Sequence, residues 1–435
     1  MIFNNNHTPQ SPKPMQYFWA VVLLIIGFSI LLKLPTLNLR HEEGDEVRFW
    51  YLTKNWIATE HYTLQGSPIF NIPTFKAHYA YREIPVHPPL FPAVLRPFAQ
   101  YENIPHYAVM ASWLGHLLAI FAVALIGRYL IHDHNLSLSA LSPLFWLPLL
   151  GIATDPIMTW VSGKLWIDNL HAGLAAMSIA LALMANRFRH AQFLYLLSGI
   201  CLGLALLSKI TAALIIPIII YIIFVNETDA KKRYQALLWG AIPALLLSLP
   251  WYIPRYLTPI PEAPPVDWSS VGICVFCGVV TSKPFYYFFV QLILISPLIV
   301  IGLSFYFVYY MTDIRKRLGI LEHLRFLIPV VWCLFILIAA TIYVANYNTF
   351  IMRRLTVMLP SLYVMFYFLL IYSEKFQTLK KYQPLLLLLG MLTIIYGAIG
   401  GGYYVFHGDV YPEFTSLLEL AGIVEITGIN PHKSW

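Results

Sequence analysis

Between His41 and Trp50 the chain reads HEEGDEVRFW, crowding Glu42, Glu43, Asp45, Glu46 and Arg48 together in a protein that is 11% charged overall. The run comes directly after the first long apolar segment. Charges beside hydrocarbon are costly unless they face water, protein or a ligand. Asp45 and Glu46 are of the type that takes a proton from a hydroxyl as a general base. The competing reading is an acidic loop that only solvates itself. A second stretch belongs with the first: YREIPVHPPLFP, from Tyr81 to Pro92. There His87, before Pro88 and Pro89, could contact an anion or a metal, or pack on aromatic neighbours.

Two further carboxylates lie downstream. Asp155, in GIATDPIMTW, reads most simply as a helix N-cap, because Pro156 suits a first helical position. Asp168, in LWIDNLHAG, lies just inside an apolar helix, where a lone charge is expensive. His171 follows one turn later on the same face. Either carboxylate could share a metal with Asp45 or orient a second substrate. Arg353 and Arg354 open a late apolar segment; arginine pairs bidentately with phosphate, and snorkelling to lipid headgroups is the alternative. Lys209, between two short apolar segments, is a further anion candidate. His41, His78 and His171 show no spacing that resembles a zinc signature. Four cysteines are too few for a disulfide scaffold, and Cys274-x-x-Cys277 reads as packing or a local disulfide. No Gly-rich phosphate loop, nucleotide fingerprint or basic-aromatic stripe occurs, so neither a nucleotide site nor a nucleic-acid partner is expected.

The elements that must position these groups are apolar helices. Of 435 residues 59% are hydrophobic, and the mean hydropathy is +0.66; soluble domains are nearer half apolar and a quarter charged. The fold class is therefore read as an all-α polytopic membrane protein. A span needs about 20 mainly apolar residues. Eleven segments are expected: Tyr17–Pro35, Ala108–Leu130, Leu136–Leu150, Ile167–Ala185, Phe193–Leu207, Ile210–Val225, Ala236–Ile253, Phe285–Met311, Phe326–Val344, Leu355–Tyr372 and Leu385–Phe406. With the N-terminus inside, one set of loops carries Arg128; Arg187 and Arg189; Lys231, Lys232 and Arg233; Arg315, Lys316 and Arg317; and Lys375, Lys380 and Lys381. The positive-inside rule makes that set cytoplasmic, which also accounts for the formal net charge of +7. Asp45, His87, Asp155, Asp168, Lys209, Arg353 and the C-terminal tail then lie outside.

Residues 1–16, polar and rich in Pro and Asn, read as a disordered cytoplasmic tail and not a signal peptide. Residues 17–406 form the membrane domain and 407–435 a short outer tail. The longest outer loop is 36–105. Within it DEVRFWYLTKNWI has a near-helical period, with Val47, Trp50, Tyr51 and Trp56 on one side, as for a helix lying in the membrane interface. A second helix is expected after HPP. The outer loop 254–284, with Pro259, Pro261, Pro264 and Pro265, reads as irregular.

GDEVRFW after the first helix, and VHPPLFP later in the same loop, carry a family resemblance. YLLSGICLGLALLSKITAALIIP, LPWYIPRY and RRLTVMLPSLYVMF support it. Over most of its length the chain resembles the glycosyltransferase-C superfamily, and within it the branch of protein O-mannosyltransferases and bacterial aminoarabinose transferase. The resemblance implies a sugar donor on a polyprenyl phosphate, undecaprenyl or dolichyl. It implies inverting transfer outside the cytoplasm, to a hydroxyl on a glycan, lipid or protein acceptor. The location implied is a bacterial inner membrane or an endoplasmic reticulum. On that pattern Asp45 matches the catalytic aspartate, with Glu46 beside it. His87 stands where relatives often carry Lys before Pro-Pro, a position associated with the donor phosphate. His87, Lys209, Arg353 and Arg354 are the expected phosphate-binding set, and Asp155 and Asp168 the acceptor-side carboxylates. No cofactor is demanded, and a divalent metal stays open. A soluble C-terminal domain found in some relatives is expected to be absent. The contrasting class is a transporter or flippase of lipid-linked saccharide, which also wants charges in an apolar frame, and a third is a non-catalytic assembly subunit. Against a transporter, the charges cluster on one face and not at the midplane.

Overall fold

Every regular element among the described residues is a helix. The computed structural model describes residues 12–38, 44–64, 66–67, 87–134, 136, 143–188, 190–257, 304–347, 356–376, 384, 387–388, 390–392 and 394–399. Helix α1 (Pro12–Lys33) begins earlier than the expected Tyr17, taking in the last residues of the expected tail. Proline costs nothing at a first helical position, where its missing N–H would be unbonded anyway. Past Lys33 the chain tightens into a 3-10 turn, Leu34–Asn38, with Pro35 unable to donate to a continuing α-helix. The first long loop carries α2 (Gly44–Thr59) and, after His-Pro-Pro, the expected second helix as α3 (Leu90–Leu95).

The bundle continues with α4 (Met110–Asp133), α5 (Leu147–Ala153), α6 (Pro156–Ser162), α7 (Asp168–Met184), α8 (Ala191–Ser208), α9 (Ile216–Asn226) and α10 (Ala230–Leu257). Further along come α11 (Ile320–Phe326), α12 (Ile328–Tyr347) and α13 (Leu359–Phe376). In lipid no hydrophobic force draws helices together, so close backbone approach through small residues has to hold them. Gly115 of α4 and Gly173 of α7 make that approach: a Cβ on Gly173 would strike the Gly115 carbonyl oxygen, and one on Gly115 the backbone at Asn169. Gly199 of α8 does the same against the Gly240 carbonyl and Pro243 of α10.

Of the third expected segment, Leu136–Leu150, residues 143–150 are helical, and the helix runs on past the expected end. The helical path runs through a 3-10 turn at Pro143–Trp146, then α5, breaks at Thr154–Asp155, and resumes as α6. The break has a local cause: proline disfavours the α region for its predecessor, and Asp155 is extended at φ −56°, ψ 124°. A broken helix leaves carbonyls without intrahelical partners. The Ile152 carbonyl accepts from His116 Nε2 at 2.7 Å, and the Ala153 carbonyl accepts from Ser29 Oγ at 3.1 Å. Because a carbonyl only accepts, His116 carries its proton on Nε2. Lys33, fully buried, donates to the Ser29 carbonyl at 3.0 Å and also to Ser29 Oγ.

Four described helices are long and apolar enough to cross a membrane, Gln16–Asn38, His106–Asp133, Ala191–Ser208 and Ala230–Pro254. The pair Ile320–Phe326 and Ile328–Ala339, bent by 44°, makes a fifth if counted as one span. The eighth expected segment is described only from residue 304 and the eleventh only within 387–399; both are helical there.

The two ends of the bundle differ in chemistry. At one end Asp133 pairs with Arg187 and lies 4.0 Å from Arg325. There also Arg233 Nη2 donates to the Glu227 carbonyl at 3.0 Å, and Tyr310 meets His323. Of the basic loop residues named above, Arg128, Arg187, Lys231–Arg233 and Arg315–Arg317 fall at this end. The opposite end gathers the start of α2, the turn between α6 and α7, the end of α8 and the start of α13.

Candidate active site at the end opposite the basic loops

Helix α2 presents Glu46, Phe49, Trp50 and Thr53 as one buried stripe, the i, i+3, i+4, i+7 spacing of a single helix face. Of the expected interfacial residues Val47, Trp50, Tyr51 and Trp56, Trp50 is buried and the others are half-buried. The stripe includes a carboxylate because it has a specific partner. Glu46 Oε1 accepts the Leu165 N–H at 2.9 Å, and a buried charge is tolerated when hydrogen-bonded. Leu165 sits in the turn between α6 and α7. Ser112 of α4 holds the same turn, accepting from the Trp166 N–H at 3.2 Å and offering its one proton to the Lys164 carbonyl (2.6 Å) or the Trp166 carbonyl (3.0 Å). Glu46 thus acts as a strut between the first long loop and the start of α7. Glu46→Ala is expected to lower stability by about 1–3 kcal/mol by orphaning the Leu165 N–H. Glu46→Gln, whose amide oxygen still accepts, should cost less. Denaturant melts of both variants in detergent check this; equal loss would mean the bond to Leu165 is not what matters.

Asp168 opens α7, where the helix N-terminus favours a carboxylate. Its Oδ1 accepts from Lys209 Nζ at 2.7 Å. The lysine side chain is 18% exposed and the aspartate 4%, so the cation lies on the more open side of the pair. The Asp168 main-chain oxygen accepts from Thr356 Oγ1 at 3.3 Å. One turn on, His171 Nε2 lies 3.4 Å from Thr211 Oγ1. The sequence expectation that Asp168 and His171 share a face holds, and the face looks onto residues 209–211.

His87 is half-buried, its ring 5.3 Å from that of Phe49, which also meets Phe91 at 5.3 Å. Tyr62 OH donates to the His87 carbonyl at 3.1 Å. Aromatic packing spreads from here: Trp56 meets Tyr62 at 5.2 Å, Tyr62 meets Trp251 at 5.3 Å, and the Arg96 guanidinium lies 5.1 Å over Trp56. Asp155 has other partners, as the N-cap reading expected. It accepts from the Met158 N–H at 3.0 Å and from Tyr363 OH at 2.7 Å. The length of α6, roughly 10 Å at 1.5 Å per residue, separates it from the Leu165 turn. Arg353, Arg354, His41, His78, Cys274, Cys277 and the side chain of Asp45 lie outside the described part. Among the described residues no group of three or more His, Cys, Asp or Glu could hold a metal ion. Sequence reasoning missed Ser112 and Thr356. A serine inside the apolar run of α4 was the available signal for the first; nothing local marks the second.

Three solved structures match this fold. The crystal structure of ArnT from Cupriavidus metallidurans in the apo state matches with a TM-score of 0.51 at 14% identity, over 80% of this chain and 59% of that one. The same protein bound to undecaprenyl phosphate matches with a TM-score of 0.51 at 14% identity, over 82% and 60%. Archaeal oligosaccharyltransferase AglB from Archaeoglobus fulgidus, in complex with an inhibitory peptide and a dolichol-phosphate, matches with a TM-score of 0.58 at 15% identity, over 91% and 56%. The chain therefore spans less than two thirds of the length of each. No protein-family profile matches the chain, and no curated protein sequence matches it. At these identities the likeness establishes the fold. This is an all-helical polytopic membrane protein with a glycosyltransferase-C-like fold.

Proposed function

We propose that the chain is an integral-membrane glycosyltransferase that moves a sugar from a polyprenyl-phosphate donor to an acceptor hydroxyl on the extracytoplasmic face. The observation that carries the reading is the bond from Leu165 N–H to Glu46. It ties the helix that begins with GDEV, the stretch with the catalytic resemblance, to the turn leading into Asp168, the partner of Lys209. The neighbours with this fold, captured with undecaprenyl phosphate or a dolichol-phosphate, support a donor of that class.

In this reading Asp45 takes the acceptor proton as the acceptor oxygen bonds to the anomeric carbon. The bond from that carbon to the phosphate oxygen breaks, and polyprenyl phosphate leaves. Arg353 and Arg354, with Lys209 or His87, neutralise the charge growing on the leaving phosphate. Alignment of acceptor and donor supplies the rest of the rate. Glu46 positions and does not react. The loop 36–105 is the catalytic loop, and the lipid tail stays in the bilayer. Transfer from a radiolabelled polyprenyl-phosphate sugar by purified protein in liposomes tests this directly. Absence of transfer with undecaprenyl and dolichyl donors alike, by folded protein, would sink it.

The orientation follows from the basic end of the bundle, which the positive-inside rule puts in the cytoplasm. A single cysteine placed at Lys316 should resist a membrane-impermeant thiol reagent added outside, and one at Pro264 should react. Labelling at 316 from outside would invert the assignment.

A further inference from the structure

We propose that the donor phosphate and the Asp168 carboxylate compete for the Lys209 ammonium, so that Asp168 guards the phosphate subsite and yields Lys209 when the lipid-linked donor binds. The idea rests on the glycosyltransferase reading above and adds a control element to its site. Three features of the pair point to it. First, the partners are unequally shielded: Asp168 is 4% exposed and Lys209 18%, so an anion arriving from the open side meets the cation. Second, each partner has support of its own once the pair opens. Lys209 follows the last turn of α8 as its C-cap, where the helix dipole favours a cation, and Asp168 sits in the first turn of α7, where it favours an anion. The carboxylate is therefore not left as an unsupported buried charge. Third, the Thr356 bond goes to the Asp168 main-chain oxygen. Exchange of the side-chain partner leaves that tie intact, and Thr356 stands two residues after Arg354 in the sequence. An ammonium offers three donors, and a neutral ion pair attracts an anion far less than the bare cation does.

The test uses the full chain in nanodiscs, with undecaprenyl phosphate as the probe and its dissociation constant as the readout. Asp168→Asn is expected to tighten binding several-fold, because Lys209 no longer faces a charged competitor. Lys209→Gln should weaken it by about tenfold or more, the loss of one hydrogen bond to a charged group. The double variant should bind like Lys209→Gln alone. Asp168→Glu, which keeps the charge, should stay near the wild type. If Asp168→Asn still tightens binding by the same factor in the Lys209→Gln background, the effect is simple repulsion and the competition is wrong. An unchanged constant in Asp168→Asn, or the same pattern for phosphatidylglycerol, overturns it as well. Should Asp168→Asn fail to fold, amine acylation of the wild type decides: undecaprenyl phosphate must change the labelling rate of Lys209. A wild type that binds neither undecaprenyl nor dolichyl phosphate would remove the underlying reading together with this one.

Discussion

Asp45→Asn should abolish most transfer while leaving the donor bound. Asparagine keeps the shape of aspartate and removes its basicity, so the rate should fall by about 10²–10⁴-fold, the usual contribution of a positioned general base. Donor affinity should persist, and even rise slightly as a negative charge near the phosphate disappears. Glu46→Gln is the control, and the structure sharpens it. Glu46 is buried against Leu165, and glutamine can still accept that N–H, so this variant should retain most of its activity. Successive residues on a helix point about 100° apart, so the two neighbours are not interchangeable. Loss confined to Glu46→Gln would move the base by one residue. Near-normal transfer in both variants would take the stretch out of the chemistry and make Asp168 the next candidate. Initial rates with a labelled donor, alongside donor-binding constants, separate these results.

Arg354→Gln should weaken donor binding by about 1.5–3 kcal/mol, the range for a hydrogen bond to a charged group. That is roughly ten- to a hundredfold in the dissociation constant. Glutamine keeps much of the stem, so folding should be little affected. The measurement is a titration of the purified variant with undecaprenyl phosphate, repeated for Arg353→Gln and for the double variant. Unchanged affinity in all three would assign both arginines to ordinary headgroup contacts.

Much of the helical frame was legible because each apolar run has a length set by the bilayer. The second helix of the first loop was legible from His-Pro-Pro, and the cap at Asp155 from Asp-Pro. The same Asp-Pro hides how far the third span runs: it interrupts a helical path whose two halves are α5 and α6. Chain-local patterns also could not reveal pairings that depend on distant contacts. Glu46 meets Leu165 across 119 positions and Lys209 meets Asp168 across 41. In sequence each of these groups looks like a spare charge with the chemistry of its type, and only the partner decides whether it reacts, binds or braces. Periodicity likewise does not separate aromatic residues at headgroup level from aromatic residues packed against protein.

The break between α5 and α6 carries a consequence for how the protein is made. A segment with loose carbonyls is a poor guest in hydrocarbon until something bonds them. Two of its donors, Ser29 and His116, belong to helices that precede it in the chain, so both are already synthesised when the ribosome delivers residues 147–162. Asp155 is in a different position. Its partner Tyr363 is synthesised 208 residues later, and through that interval the carboxylate has the Met158 N–H of its own helix start to hold it. The order of the genetic message thus matches the order in which the polar seam can be closed, with the last stitch left for α13.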